Sequence, residues 1–148
     1  MNVFLMVLRA RKPSQTSDMP ASAHPFLIKK GYEALTFFGH IITHSAQEAE
    51  AFNQRFGSLK NHEMIHLYQA RATHDSWFCF YLLYGWYWLQ ACRYRRHLKN
   101  AGYLLNPFEL EAYRHMANLG YLNGKAEATE WRRFARMSLH DRLRYVVT

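Results

Sequence analysis

Helical patterning of apolar and polar residues dominates the later part of the chain. Ser58 is suited to cap a helix, and the helical pattern then continues to about Thr73. A second helix is predicted from a cap at Asp75 or Ser76 to about Lys99. These two segments are long enough to form the centre of a helical domain.

Two further helices are predicted in the C-terminal part of the chain. Asn106 can cap a third helix with Pro107 at its first position, which is a favoured way to begin a helix. Its pattern runs to about Gly120. An Asn-Gly pair at 123–124 predicts a turn, and residues 129–147 predict a final basic helix.

The N-terminal third of the chain has a different pattern. Residues 35–43 are rich in β-branched and aromatic side chains, which is typical of a strand, with a break at Gly39. Residues 46–56 predict a short polar helix that ends at Gly57. The predicted fold class is therefore α+β and predominantly α, with a short β element before the first long helix.

Composition predicts one domain that follows a flexible leader. The chain has 148 residues, 49% of them hydrophobic, which is enough to bury a core. Residues 12–25 are rich in Pro, Ser, Ala and Thr, so we predict a leader over residues 1–25 and a domain over residues 26–148. The apolar run at residues 3–8 is short, and its charges follow it. No signal peptide is therefore predicted, and the expected location is cytoplasmic or peripheral to the inner membrane.

The net charge of +8 and the pI of about 9.7 require an anionic partner to be considered. The basic residues are scattered in small groups, none of which belongs to a nucleic-acid-binding motif, so no nucleic-acid partner is expected. Two interpretations remain. The basic surface is either simply solvated, or it contacts anionic lipid head groups.

Residues 76–92 form the most apolar segment and contain no charged residue. As a helix, these seventeen residues would be about 26 Å long, just short of the roughly 30 Å hydrocarbon core of a bilayer. Arg93, Arg95 and Arg96 follow directly, as in a positive membrane flank, but Gly85 and several tyrosines make a poor span. A core helix, an interfacial membrane helix and a true span all remain open.

A metal-binding pattern lies in the first long helix. His62 and His66 are four residues apart, so a helix places both imidazoles on one face. Glu63 is rotated by about 100° from His62, where it can reach a water bound to the same metal. Gln69 shares the histidine face, and a buried polar face is costly unless something binds there. The alternative is two hydrogen-bonded histidines on an ordinary amphipathic helix.

A catalytic zinc site needs a third protein ligand and an open position for water. The helix that begins at Asn106 carries Glu109 and Glu111 near its start. The chain between residues 67 and 108 is long enough for one helix to cross and another to return. Either carboxylate can therefore reach the two histidines.

The pattern His62-Glu63-x-x-His66, followed by a helix with Glu109-x-x-Ala, resembles the gluzincin branch of zinc metallopeptidases. Over residues 26–120 it is also similar to small zincin-like proteins of Bacteroidetes. This resemblance implies a minimal zincin-like domain in which His62, His66 and Glu109 hold zinc. It further implies that Glu63 is the general base for a zinc-bound water.

The resemblance also suggests supporting residues. In gluzincins an acidic residue four positions after the third ligand often supports a histidine, but that position here is Tyr113. Glu111 takes this role instead, or is itself the ligand. The strand over residues 37–43 is expected beside the cleft, where it binds substrate by edge pairing. Tyr113, Tyr68 and His115 are the candidate oxyanion donors.

The predicted function is therefore a zinc-dependent metallopeptidase that acts on a peptide or protein of unknown specificity. Peripheral membrane contact through the aromatic helix is a further predicted partner interaction. Two alternative functions remain open. One is a zinc-binding scaffold without catalysis, and the other is a small basic membrane-associated protein in which the motif is accidental.

Overall fold

The computed structural model describes residues 6–7, 9–28 and 33–148. The fold is α+β and predominantly α, as predicted. The strands and helices with described bounds are β1 (Ala21–Ala23), β2 (Leu35–Phe37), β3 (His40–Thr43), α1 (Ala46–Gln54), α2 (Ser58–Ala72), α3 (Trp77–Ala91), α4 (Ala101–Leu104), α5 (Pro107–His115), α6 (Trp131–Arg136) and α7 (Leu139–Val147).

The strands form a three-stranded sheet with the order β1-β3-β2. β1 pairs parallel to β3, and β2 pairs antiparallel to β3. The predicted break at Gly39 is confirmed as the turn of the β2–β3 hairpin. Phe38 and Gly39 have φ angles of 46° and 82°, and positive φ at both central residues is what a type I′ turn requires.

Residues of the predicted leader are packed onto the domain. Ala21 pairs with Ile41 in the sheet, and Met19 is fully buried in the main core. The Arg71 guanidinium donates to the Thr16 carbonyl at 2.7 Å. The leader prediction therefore fails for this part of the segment, because distant partners order a stretch whose composition is typical of a linker. Residues 1–5 and 8 of the predicted leader lie outside the described residues.

Local caps fix the starts of the helices, and one of them differs from its predicted residue. Ser45 and Glu48 form a capping box at α1. At α2 the cap is Gly57, one residue before the predicted Ser58. The Asn106 side chain accepts a hydrogen bond from the Phe108 N–H, so the predicted cap of α5 is confirmed.

Several helix ends differ from the prediction. α3 ends at Ala91 and continues as a 3₁₀ turn, well before Lys99. α5 ends at His115 rather than near Gly120. The predicted final helix over residues 129–147 is two helices, because Met137 has an extended backbone and Ser138 caps α7 by accepting from the Asp141 N–H at 3.1 Å.

α2 lies in the centre of the domain, and its buried residues include polar as well as apolar ones. Its apolar residues Met64 and Leu67 belong to the main core, together with Trp77 and Phe80 of α3 and Phe108 of α5. This packing fixes α2 against both neighbouring helices. The polar residues of α2 therefore face a site that α3 and α5 help to build.

α3 is buried on one face only. Trp77, Phe80 and Ala91 are buried, whereas Phe78 and Leu82 are 71% and 63% exposed. The core-helix interpretation thus holds for one face and not for the other. Among the described residues, no helix has the length and apolar character needed to cross a membrane.

Candidate metal centre

Three buried side chains from two helices meet at one point. His62 and His66 come from α2, and Glu109 comes from the first turn of α5. The two Nε2 atoms of the histidines are 3.2 Å apart. Glu109 Oε2 lies 3.2 Å from His62 Nε2, and Glu109 Oε1 lies 3.4 Å from His66 Nε2. Each of the three residues is 5% exposed or less.

The start of α5 is fixed firmly, and this places Glu109. Asn106 caps the helix through its Oδ1, while its Nδ2 donates to the Tyr84 carbonyl of α3 at 3.1 Å. Pro107 occupies the first helical position, where a missing N–H costs nothing. Phe108 is fully buried, with its ring 5.0 Å from that of Phe80. The carboxylate that follows is therefore held against α2.

The spacing of the ligand atoms fits a metal ion. Four ligands at zinc's preferred bond lengths of about 2.0–2.2 Å and tetrahedral angles lie about 3.3–3.6 Å from one another. The two Nε2 atoms are 3.2 Å apart, and each lies 3.2 or 3.4 Å from a different oxygen of the Glu109 carboxylate, so these donor atoms are close to that spacing. Glu109 Oε2 is also a buried oxygen without a hydrogen-bond partner among the described residues. This group can therefore hold a metal ion.

Gln69 sets the orientation of the His66 ring. The Gln69 amide nitrogen donates to the Phe108 carbonyl and to Glu111 Oε2, both at 2.9 Å. Because these two acceptors fix the amide nitrogen, its oxygen must face His66 Nδ1, at 2.8 Å. Nδ1 then carries the proton, and the Nε2 lone pair is available for a metal. The predicted face of His62, His66 and Gln69 is thus a connected network.

Without a metal, His66 and Glu109 behave as an ion pair. Burial lowers the pKa of His66, but the Glu109 carboxylate, with smaller contributions from Glu63 and Gln69, outweighs burial and raises it to about 9. Burial raises the pKa of Glu109, but His66 and His62 outweigh it and the pKa is lowered. A metal that binds here must displace the His66 proton.

Glu111 is placed differently from Glu109. It is fully buried, and its Oε1 accepts from the Tyr121 hydroxyl at 2.8 Å and the Glu130 N–H at 2.9 Å. Its Oε2 accepts from Gln69 and from the Trp131 N–H at 3.1 Å. Four donors therefore occupy this carboxylate. The structure places Glu109 in the candidate metal-binding group and Glu111 behind it, linked to His66 through Gln69.

Glu63 lines a cavity of about 380 Å³ together with the three candidate ligands. It is 7% exposed, and its Oε2 accepts a hydrogen bond from Thr36 Oγ1 at 2.5 Å. Most of the other lining residues are apolar or aromatic: Leu27, Ile28, Ala34, Leu35, Phe37, Phe38, Phe80, Tyr81, Tyr84, Trp88 and Tyr103. The cavity is thus an apolar pocket whose wall also contains the polar side chains of Glu63 and the three candidate ligands.

The sequence did not indicate three of the polar residues at the site. The Tyr84 hydroxyl donates to Glu109 Oε1 at 2.8 Å. Thr36 holds Glu63, and the Tyr103 hydroxyl lies 3.1 Å from that of Tyr113. Tyr84 could not be singled out because α3 is apolar on every face, so no polar stripe marks its inward side.

The three predicted oxyanion donors lie in different places. Tyr113 packs its ring 4.7 Å from the His62 ring, but it is 48% exposed and does not line the cavity. His115 is paired with Glu130. The Arg71 guanidinium lies over the ring of Tyr68, 4.0 Å from its centre. Tyr103, whose hydroxyl lies 3.1 Å from that of Tyr113, lines the cavity instead.

The strand beside the cavity is β2, not the whole segment 37–43. β3 lies between β1 and β2, so both of its edges are already paired and it cannot bind a substrate by edge pairing. Among the described residues no strand pairs with the outer edge of β2, and there the Thr36 carbonyl accepts from the Tyr81 hydroxyl at 3.0 Å. The edge-pairing prediction is therefore wrong for β3. On β2, a pairing substrate would compete with Tyr81.

Comparison with known proteins gives no relative from which a function can be transferred. No family model matches the chain, and neither a curated protein nor a solved structure is significantly similar to it. The donor atoms themselves indicate the chemistry of the site. Two imidazoles and one carboxylate suit divalent first-row metals.

Proposed function

We propose that the chain is a zinc-dependent hydrolase, with peptide bonds as its substrate class. In this proposal His62, His66 and Glu109 hold zinc, and Glu63 is the general base. The observation that carries it is the set of 3.2–3.4 Å distances among the two buried imidazole Nε2 atoms and the Glu109 carboxylate oxygens, at a cavity that Glu63 also lines. Two His and one Glu are a ligand set of catalytic zinc sites in peptidases.

Zinc in such a site supplies a Lewis acid for a carbonyl oxygen and lowers the pKa of a bound water. The task of Glu63 is to accept a proton from water in the cavity. Thr36 Oγ1 donates to Glu63 Oε2, which orients the carboxylate and leaves Oε1 to take that proton. Thr36 is thus a positioning residue for the general base.

Tyr103 is our candidate for the oxyanion donor. It lines the cavity, and its hydroxyl pairs with that of Tyr113. Burial, together with Glu109 and Tyr113, raises the pKa of Tyr103. The hydroxyl therefore keeps its proton at neutral pH and can donate a hydrogen bond to a developing negative charge. The apolar walls of the cavity favour a substrate with an apolar side chain next to the cleaved bond.

The test begins with the metal content of the purified full chain. Wild type should contain about one zinc per chain, and the His62→Ala variant should contain none. Glu63→Gln should retain zinc and lose cleavage of a mixed peptide library, because the metal site is intact but the base is absent. A wild type without bound metal, or a Glu63→Gln variant as active as wild type, would contradict the proposal.

A structural metal site is the second candidate, and the burial of the ligands favours it. His62, His66 and Glu109 are 5%, 5% and 2% exposed, and a metal there would tie α2 to α5. This candidate predicts zinc in both wild type and Glu63→Gln, no peptide cleavage by either, and unfolding on metal removal. The same two proteins thus distinguish the candidates.

A further inference from the structure

The outward face of α3 is a continuous apolar stripe. Phe78, Leu82, Trp86 and Leu89 are 71%, 63%, 57% and 61% exposed. Their spacing of four, four and three residues places them on one side of the helix, opposite the buried Trp77 and Phe80 side. Large contiguous apolar patches are rare on free monomers and mark interaction surfaces. We call these four residues the α3 stripe.

A basic cluster lies at the C-terminal end of the α3 stripe. Arg93, Arg95, Arg96 and Lys99 are all exposed. The chain from residue 76 to residue 108 contains no Asp or Glu. In the part of the chain that the structure describes, no ion pair involves any of these four side chains. The cluster therefore presents uncompensated positive charge next to the stripe.

The combination fits the surface of an anionic lipid bilayer. Tryptophan is enriched at membrane interfaces, and a neighbouring basic cluster is attracted to anionic head groups. The fifteen residues of α3 extend about 22 Å, which is too short to span a bilayer but sufficient to lie along its surface. Because a two-fold dimer brings the same surface patch to both sides, a second copy that packed on this face would bring to the arginines a segment, residues 76–108, that contains no Asp or Glu.

We propose that the α3 stripe docks the protein onto an anionic membrane surface, with Arg93, Arg95 and Arg96 on the lipid head groups. Trp88 is 45% exposed beside the stripe and also lines the cavity of the metal centre. The docked face therefore borders that cavity. Docking does not depend on catalysis, so it stands or falls separately from the proposed hydrolase activity.

The experiment is sedimentation of the full-length chain with phosphatidylcholine vesicles, with and without phosphatidylserine. We expect binding to the phosphatidylserine vesicles and a blue shift of tryptophan fluorescence as Trp86 leaves water. The triple variant Arg93→Gln/Arg95→Gln/Arg96→Gln should bind about a hundredfold more weakly. Trp86→Ser/Leu89→Ser should bind at least about tenfold more weakly, because apolar area is removed from the contact.

A charge-matched variant serves as the control. Arg132→Gln/Arg133→Gln/Arg136→Gln removes three exposed charges from α6, so it lowers the net charge equally and should retain most of the binding. Circular dichroism should show every variant folded. Equal loss in both triple variants would show a diffuse charge effect and overturn the proposal. No binding by wild type, or a lipid-free dimer that shields Trp86 from a soluble quencher, would also overturn it.

Discussion

At the scale of single residues, Glu109 and Glu111 show how different surroundings give two similar carboxylates different roles. Both are on α5, two residues apart, and both are buried. Glu109 faces two imidazole nitrogens, whereas Glu111 accepts four hydrogen bonds, two of them from backbone N–H groups at the start of α6. A carboxylate already satisfied by four donors has no lone pair left for a metal.

This difference predicts opposite effects of substitution. Glu109→Gln should remove bound zinc and leave a folded protein, because the amide keeps the volume but loses the ligand charge. Glu111→Ala should lower the free energy of unfolding by about 3 kcal/mol, since it leaves buried donors without acceptors. Zinc content and urea denaturation of both variants are the measurements. Zinc retained in Glu109→Gln but lost in a folded Glu111→Gln variant would reverse the assignment.

Gln69 carries a separate prediction about metal affinity. Gln69→Leu has a similar size but cannot accept from His66 Nδ1, which Gln69 Oε1 meets at 2.8 Å. The ring then loses its fixed tautomer, and the affinity for zinc should fall about 10- to 100-fold. Competition with a chromogenic chelator measures this. Gln54→Leu, on the exposed side of α1, is the control and should bind zinc as wild type does.

The sequence could predict Gln69 but could not separate the two glutamates. Gln69 is on the same helix as His62 and His66, so helical spacing alone places it on their face. The partners of Glu111 include Tyr121 and the N–H groups of Glu130 and Trp131, ten to twenty residues away. No spacing rule marks contacts across a loop, so the choice became possible only with the structure.

At the scale of elements, the crossing of α3 and α4 depends on a glycine. A Cβ at Gly102 would lie 2.8 Å from Trp88 Nε1 and 2.9 Å from Cys92 Sγ. These contacts are too short for real atoms, and the side chains they meet lie where α4 approaches the end of α3. Gly85 lies within α3, and a Cβ there would meet nothing within 4 Å.

The two glycines should therefore respond in opposite directions to alanine. Gly102→Ala should destabilise the protein by about 1–3 kcal/mol, because Trp88 and Cys92 must move. Gly85→Ala should stabilise it by about 0.5–1 kcal/mol, because the helix interior loses a flexible residue without a clash. Thermal denaturation of the two variants beside wild type measures both. A neutral Gly102→Ala would mean that α4 can shift freely.

Helix starts could be predicted from the sequence because capping is local chemistry. Asn106 and Ser76 accept from the N–H groups of Phe108 and Cys79, two and three residues later. Helix ends were predicted less well. The predicted final basic helix is divided at Ser138. The Ser138 side chain caps a new helix there, and this competes with continuation of the preceding helix. Packing against distant elements decides such competitions, and local patterning contains no information about it.

At the scale of the whole molecule, the candidate metal centre connects segments that the chain order separates. α2 and α5 provide the candidate ligands, α3 supports Glu109 through Tyr84, and β2 supports Glu63 through Thr36. A ligand that binds only the folded state stabilises it in proportion to the logarithm of its concentration. Free zinc at about a hundred times its dissociation constant should therefore raise the free energy of unfolding by about 2.7 kcal/mol.

That stabilisation should depend on pH with a defined sign. In the metal-free protein the pKa of His66 is raised from 6.5 to about 9. The His66–Glu109 ion pair therefore contributes stability that is fully present below about pH 6.5 and is lost as the pH rises through about 9. Zinc needs the neutral imidazole, so its affinity should instead rise about tenfold per pH unit over this interval.

The gap between the melting temperatures of zinc-loaded and chelated protein should therefore widen from about pH 6.5 to about 9. The proton that the ion pair holds on His66 is the proton that the metal must displace, so the loss of the ion pair and the gain in zinc affinity are one linked effect. Thermal denaturation across this range, with and without chelator, measures the gap. His66→Ala, which lacks both the ion pair and a ligand, should show almost no gap at any pH. A gap that stays constant in wild type would show that His66 is neutral before the metal binds.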